Sequence, residues 1–89
     1  MVFEVSRIRH ESDLPIFAGR VTEGRLVVGF LLEARRQGEA VCRSRVTGVC
    51  VGGRWLDQAS PGDEVEILLR GEPARQVKVG DVLHHLPEN

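Results

Sequence analysis

Apolar and polar positions alternate over short stretches of the chain, as in Phe3-Glu4-Val5 and Val65-Glu66-Ile67. That two-residue period belongs to half-buried strands. Between such stretches stand Gly24, Gly29, Gly38, Gly52-Gly53, Pro61-Gly62, Gly71 and Gly80. Turn residues at these intervals, with β-branched residues between them, are the pattern of a sandwich or barrel. No segment keeps an apolar stripe at helical spacing through three turns. Leu56-Asp57-Gln58-Ala59 is compatible with one helical turn, which Pro61-Gly62 would stop. The pattern predicts strands at about residues 3–9, 15–22, 25–34, 40–51, 64–70 and 82–86, with 53–57 as a further short strand. Glu23-Gly24, Arg36-Gln37-Gly38 and Pro61-Gly62-Asp63 are the expected connections. The third and fourth strands are expected to form a hairpin across residues 35–39, where Gly38 takes positive φ at no steric cost.

One irregularity is informative. Val46 and Val49 lie three apart, which breaks the alternation, and Gly48 stands between them. A β-bulge at Thr47-Gly48 would return both valines to one face and sharpen the bend that a small closed barrel needs. Burying roughly a dozen large aliphatic side chains, at about 1.5–3 kcal/mol each, offsets chain entropy at this size. Closing the sheet also removes edges that would invite aggregation. The expected fold is therefore all-β, a small closed six-stranded β-barrel.

Composition narrows the setting. Eighty-nine residues make one small domain, expected to span 1–89, and 42% hydrophobic with 28% charged residues suits a globular chain. No apolar run approaches the roughly 20 residues of a membrane span, and Met1-Val2-Phe3-Glu4 lacks a signal peptide's layout. The expectation is a cytoplasmic protein without membrane contact. A net charge of −1 writes no general attraction to nucleic acid into the molecule, so such contact would need a local patch.

The order of motifs carries more. Ala18-Gly19-Arg20-Val21-Thr22-Glu23-Gly24-Arg25-Leu26-Val27-Val28-Gly29 is followed by Val46-Thr47-Gly48-Val49. Then come Ala59-Ser60-Pro61-Gly62-Asp63-Glu64-Val65-Glu66-Ile67-Leu68-Leu69-Arg70-Gly71 and Val77-Lys78-Val79-Gly80-Asp81-Val82-Leu83. This set resembles domain 2 of the translational GTPases, the β-barrel of the elongation factor Tu type, here as a stand-alone domain. The resemblance implies that barrel fold, with Arg70 lying along its surface to meet carbonyls or a carboxylate. No Gly-x-x-x-x-Gly-Lys-Ser/Thr loop occurs, so no GTPase domain is expected. In that family the barrel helps hold the aminoacylated end of transfer RNA beside a Gly-Arg-Gly turn. That turn corresponds here to His10-Glu11-Ser12-Asp13, without arginine or glycine. The family's Glu, Arg and Asn of the same site fall at Cys50, Gly53 and Glu64. A pocket that gains carboxylates and loses arginine binds phosphate less well, so the resemblance implies the fold without the RNA-end site.

The remaining candidates are weighed by geometry. Cys42 and Cys50, eight positions apart on one strand, are beyond disulfide reach and match no zinc spacing. They read as small hydrophobes, with a reactive Cys50 as the other reading. His84 and His85 should point to opposite faces, which disfavours a shared metal. No metal or cofactor is expected. Trp55, after Gly52-Gly53-Arg54, is either an interface anchor or a lid over the barrel's open end. Arg35, Arg36, Arg43 and Arg45 form the chain's basic cluster, with Glu33 and Glu39 beside it.

The sequence thus points to a non-catalytic binding module. A protein partner is expected to meet the face carrying Trp55, Arg54 and the His10, Glu11 and Asp13 loop, and self-association into a homodimer is a further expectation. The alternative is an RNA- or ribosome-binding accessory protein acting through the four arginines. An enzyme is not expected, since no grouping supplies nucleophile, base and oxyanion donors together.

Overall fold

The structure, a computed structural model, describes residues 1–88. Its strands are β1 (Val2–Glu11), β2 (Leu14–Glu23), β3 (Leu26–Val27), β4 (Leu31–Arg36), β5 (Glu39–Val51), β6 (Arg54–Leu56), β7 (Gln58–Ala59), β8 (Glu64–Leu69) and β9 (Val82–His85). A short 3-10 helix occupies Glu72–Gln76. Going round the sheet, β1 pairs with β2, β2 with β8, β8 with β5, β5 with β4, β4 with β9, and β9 returns to β1. Every pairing is antiparallel, so six strands close into a barrel, as the turn spacing and aliphatic content predict. β6 folds back onto β5 and ends the sheet, while β3 and β7 form a separate two-stranded ribbon.

Alternation places the core. Phe3, Val5, Phe17, Val21, Leu32, Val46, Val49, Val65, Ile67 and Leu83 point inward and are buried, whereas Glu4, Ser6 and Arg20 point out. The bulge at Thr47 is present: Val46 faces Leu69 and Gly48 faces Leu68, so Thr47 is the extra residue and both valines reach the core. A second bulge lies at Ser6, where Val5 opposes Gly19 and Arg7 opposes Ala18. The Ser6 hydroxyl donates to the Ala18 carbonyl at 3.2 Å.

Three elements differ from expectation. The strand expected at 25–34 is broken at residues 28–30, because Gly29 takes φ 101° and turns the chain off the ribbon onto β5. There the Gly29 N–H donates to Val46 O and the Val46 N–H to Phe30 O. Residues 56–59, compatible with a helical turn, are extended instead: Asp57 separates β6 from β7, and its carbonyl accepts from the Val28 N–H at 3.0 Å. The helical turn lies later, at Glu72–Gln76, with Pro73 in its first turn. Arg70 is exposed, and its guanidinium makes no hydrogen bond among the described residues.

The tip of the first hairpin also differs. Residues 10–13 are expected as a loop, yet His10 and Glu11 belong to β1. Only Ser12 and Asp13 turn, at φ 51° and 66°, the paired left-handed conformation of a two-residue hairpin. Asn, Asp and Gly are the usual residues there, which is why a serine in first place hides so tight a turn. The hairpin at Gln37-Gly38 has the same form, with φ 54° and 82°.

Candidate functional site

β6 is tied to β5 by the Gly52-Gly53 turn, with Cys50 opposite Trp55. Side chains alternate, so Trp55 projects onto the barrel's outer wall while Arg54 and Leu56 project to the other face of β6. Gly48 clears the space for the indole. A Cβ on Gly48 would stand 3.0 Å from Trp55 Cζ3 and 3.1 Å from Leu68 Cδ1. The ring thus lies over β5 toward β8, and 59% of the residue stays exposed. It is not a lid on the barrel's end, because the alternation of β6 turns it outward.

The wall beyond the indole is apolar. Trp55, Leu68, Ile16 and Leu14 line a shallow groove that ends at Arg9, Glu11 and Ser12 on the first hairpin. Leu14, the first residue after the turn, is 47% exposed. Arg9 organises that end: its Nε and Nη2 donate to Glu66 at 2.7 and 3.2 Å, and its Nη1 donates to Glu11 at 3.0 Å. The Arg9 contact holds the Glu66 carboxyl below the usual carboxylate range.

Of the residues expected on one partner face, Trp55 and Glu11 are brought to this groove. His10 lies between Arg9 and Glu11 in the strand and so faces the other way. Asp13 sits in the turn, where its carbonyl accepts from Arg75 Nη2 at 3.4 Å. Arg54 flanks Trp55 on the opposite face of β6 and has no carboxylate partner among the described residues. Leu14, Ile16, Leu68 and Arg9 were not singled out by the sequence. They meet Trp55 only because β8 and β5 lie between the hairpin and β6.

A second cleft is polar. It includes Ser6, Arg7, Arg20, Gly52 and Glu66, together with Cys50, Gly53 and Glu64, the positions that the resemblance maps to the RNA-end pocket. Glu64 is taken by Arg20 at 2.7 Å. The cleft carries Glu4, Glu64 and Glu66 against Arg7 and Arg20, a poor lining for a phosphate.

The basic cluster is engaged inside the molecule. Arg35 Nε and Arg43 Nε grip the two oxygens of Glu33 at 2.8 and 3.2 Å, and Arg45 holds Glu88 with both terminal nitrogens. Arg36 donates from Nε and Nη2 to Asp81 at 2.8 and 2.9 Å, and the Lys78 backbone N–H adds a third bond to that carboxylate. Asp81 is 1% exposed. Burial pushes its carboxyl up, but Arg36 and the Lys78 N–H more than offset this and keep it below the ordinary value. Arg35, Arg36, Arg43 and Arg45 are thus each already bonded to a carboxylate.

The cysteines are free, Cys50 buried and Cys42 half-buried, and burial pushes the Cys42 thiol up. His85 stacks on Phe30 with ring centroids 3.7 Å apart. Among the described residues no three His, Cys, Asp or Glu are grouped to hold a metal, and no helix is long and apolar enough to cross a membrane.

No family model matches the chain. In fold it is similar to translation elongation factor SelB from Methanococcus maripaludis, in a crystal structure of the apo form, with a TM-score of 0.74 and 18% sequence identity. The match covers 92% of this chain and 18% of that one, so this chain spans under a fifth of that factor's length. At such identity the likeness is one of fold. The barrel is that of the translation-factor domain 2 type, closed by six strands.

Proposed function

We propose that the chain is a non-catalytic binding module that engages a protein partner through the groove beside Trp55. One observation carries this reading: the chain's single tryptophan lies on the outer wall, more than half exposed, at the head of an apolar groove. Burying an indole in the core would have contributed several kcal/mol to folding, whereas on the surface the same side chain dominates binding hot spots. Leu14 and Leu68 extend the apolar contact, and the bonded Arg9–Glu11 pair supplies a polar rim. The likeness in fold to a translation elongation factor supports a translation-related role in the cytoplasm. The four arginines Arg35, Arg36, Arg43 and Arg45 support RNA binding less well, since their guanidinium groups are occupied by Glu33, Asp81 and Glu88.

The test is recovery of partners from lysate on immobilised chain, with Trp55→Ala as control. A protein held by the native chain and lost on the variant is expected. Equal recovery on both would overturn the role of this face.

A further inference from the structure

Charge along the outer wall is not balanced. In the polar cleft Arg7 and Arg20 stand against Glu4 and Glu64, and Arg20 already holds Glu64. In the groove beside it, the guanidinium of Arg9 is shared by two carboxylates. It gives Glu66 two hydrogen bonds, at 2.7 and 3.2 Å, and Glu11 one, at 3.0 Å. One negative charge is left over, and it falls on Glu11, whose side chain is 69% exposed. Its Oε2 accepts from Arg9, while Oε1 has no partner among the described residues. The turn next to it carries a further exposed carboxylate, Asp13. The other end of the groove is apolar, with buried Ile16 as its floor and Leu14, Leu68 and the indole around it. An acidic rim of this kind repels phosphate, which disfavours both nucleic acid and an anionic lipid surface.

Resting on the binding role proposed for this groove, we infer that its occupant is an extended segment of a partner protein that carries a large aliphatic residue and, about three positions away, a lysine or arginine. The aliphatic side chain packs against Trp55 and Leu68, and the cation meets the open oxygen of Glu11. The order of strands sets the spacing. Leu68 lies on β8 and Glu11 on β1 with β2 between them, so two strand spacings, roughly 10 Å, separate the apolar end from the acidic one. Three residues of extended chain, at roughly 3.3 Å each, cover that distance. A long basic side chain also suits what lies between, since its methylene stem can cross Leu14 while its charged head stays at the wet rim. The charge at the rim speeds encounter and selects against acidic segments, and the apolar floor supplies the hold.

Panning a displayed random peptide library against the immobilised full chain tests this, with peptides that also bind Trp55→Ala discarded. The enriched sequences should share an aliphatic residue and a lysine or arginine about three positions apart. A synthetic peptide of that consensus, titrated into the native chain, should shift the emission of its single tryptophan to the blue. Added salt should weaken its binding. Trp55→Ala should bind it about thirtyfold or more weakly. Glu11→Gln should bind it about threefold more weakly and with a flatter salt dependence. Glu11→Arg should instead prefer the same peptide with glutamate in place of its basic residue. Thermal melts confirm that each variant is folded, and the salt dependence, read on the native chain alone, decides the matter if a Glu11 variant is not. Enriched sequences that are acidic, or apolar without a cation, overturn the inference and leave the binding role standing. Self-association of the chain through Trp55, seen by sedimentation velocity, does the same. If no peptide depends on Trp55, or if mixed-sequence RNA shifts its emission in the peptide's place, both fall.

Discussion

The Cζ3 edge of Trp55 occupies the space that a side chain on Gly48 would need, 3.0 Å from where its Cβ would stand. Gly48 does not have positive φ, so an alanine there meets no backbone strain and acts through the indole and Leu68 alone. Gly48→Ala should lift the ring off the wall, shifting Trp55 emission to the red at a cost of about 1 kcal/mol in stability. An unchanged spectrum would mean that the ring does not rest on this glycine.

Gly19 has no such flexible neighbour. A Cβ there would strike the Glu4 carbonyl oxygen and stand 2.9 Å from Phe3 Cζ, backbone on one side and a fully buried ring on the other. Neither can move without parting β1 from β2 or displacing the core. Gly19→Ala should cost about 3 kcal/mol, read as a lower urea midpoint with an unchanged slope.

Acid should unfold the protein in a definite order. His84 is half-buried, and burial lowers its pKa, so the unfolded chain takes up that proton first; stability present above the usual histidine range, about pH 6.5, declines as pH falls through it. Glu33, Glu66, Glu88 and Asp81 are all held below the ordinary carboxylate range. Their contribution is complete above about pH 4.5 and is lost as pH falls through the lowered values. Asp81→Asn should melt lower at neutral pH, by about 2 kcal/mol, and show a shallower acid slope. A parallel slope in variant and native chain would remove Asp81 from this account.

The four arginines give a separate prediction. A guanidinium that neutralises phosphate must release a carboxylate first, so mixed-sequence RNA should show no salt-sensitive binding to the native chain. Glu33→Gln, which frees Arg35 and Arg43 together, should gain weak binding that disappears as salt rises. Steeply salt-dependent affinity in the native chain would instead favour the RNA reading.

What the sequence disclosed, and what it did not, follows from distance along the chain. The barrel was legible because alternation, turn glycines and the bulge at Thr47 are local signals. Deleting Thr47 should leave Val46 opposite Leu69 and Val49 opposite Ile67, both still facing the core in plain alternation. It should remove only the bend that the bulge puts into β5, at a cost of about 1–2 kcal/mol. Thermal melting measures it. The groove was only half legible. Trp55 announced itself by type, but Leu14, Ile16 and Leu68 reach it through the order of strands around the sheet, which no local pattern encodes. The ion pairs were hidden for the same reason, since Arg36 and Asp81 lie 45 positions apart and Arg9 and Glu66 lie 57 apart. The break at Gly29 was missed because a glycine between apolar residues also suits a continuous strand.

β9 joins β1 to β4, elements that precede it by dozens of residues. Leu83, fully buried, is the plug that this strand brings to the core. On a ribosome, the earlier five staves stand as an open palisade until Val82–His85 emerges, with two long margins bare to the cell. The molecule thus acquires its final shape in a single late step, and whatever shields those margins meanwhile decides how much of it survives synthesis.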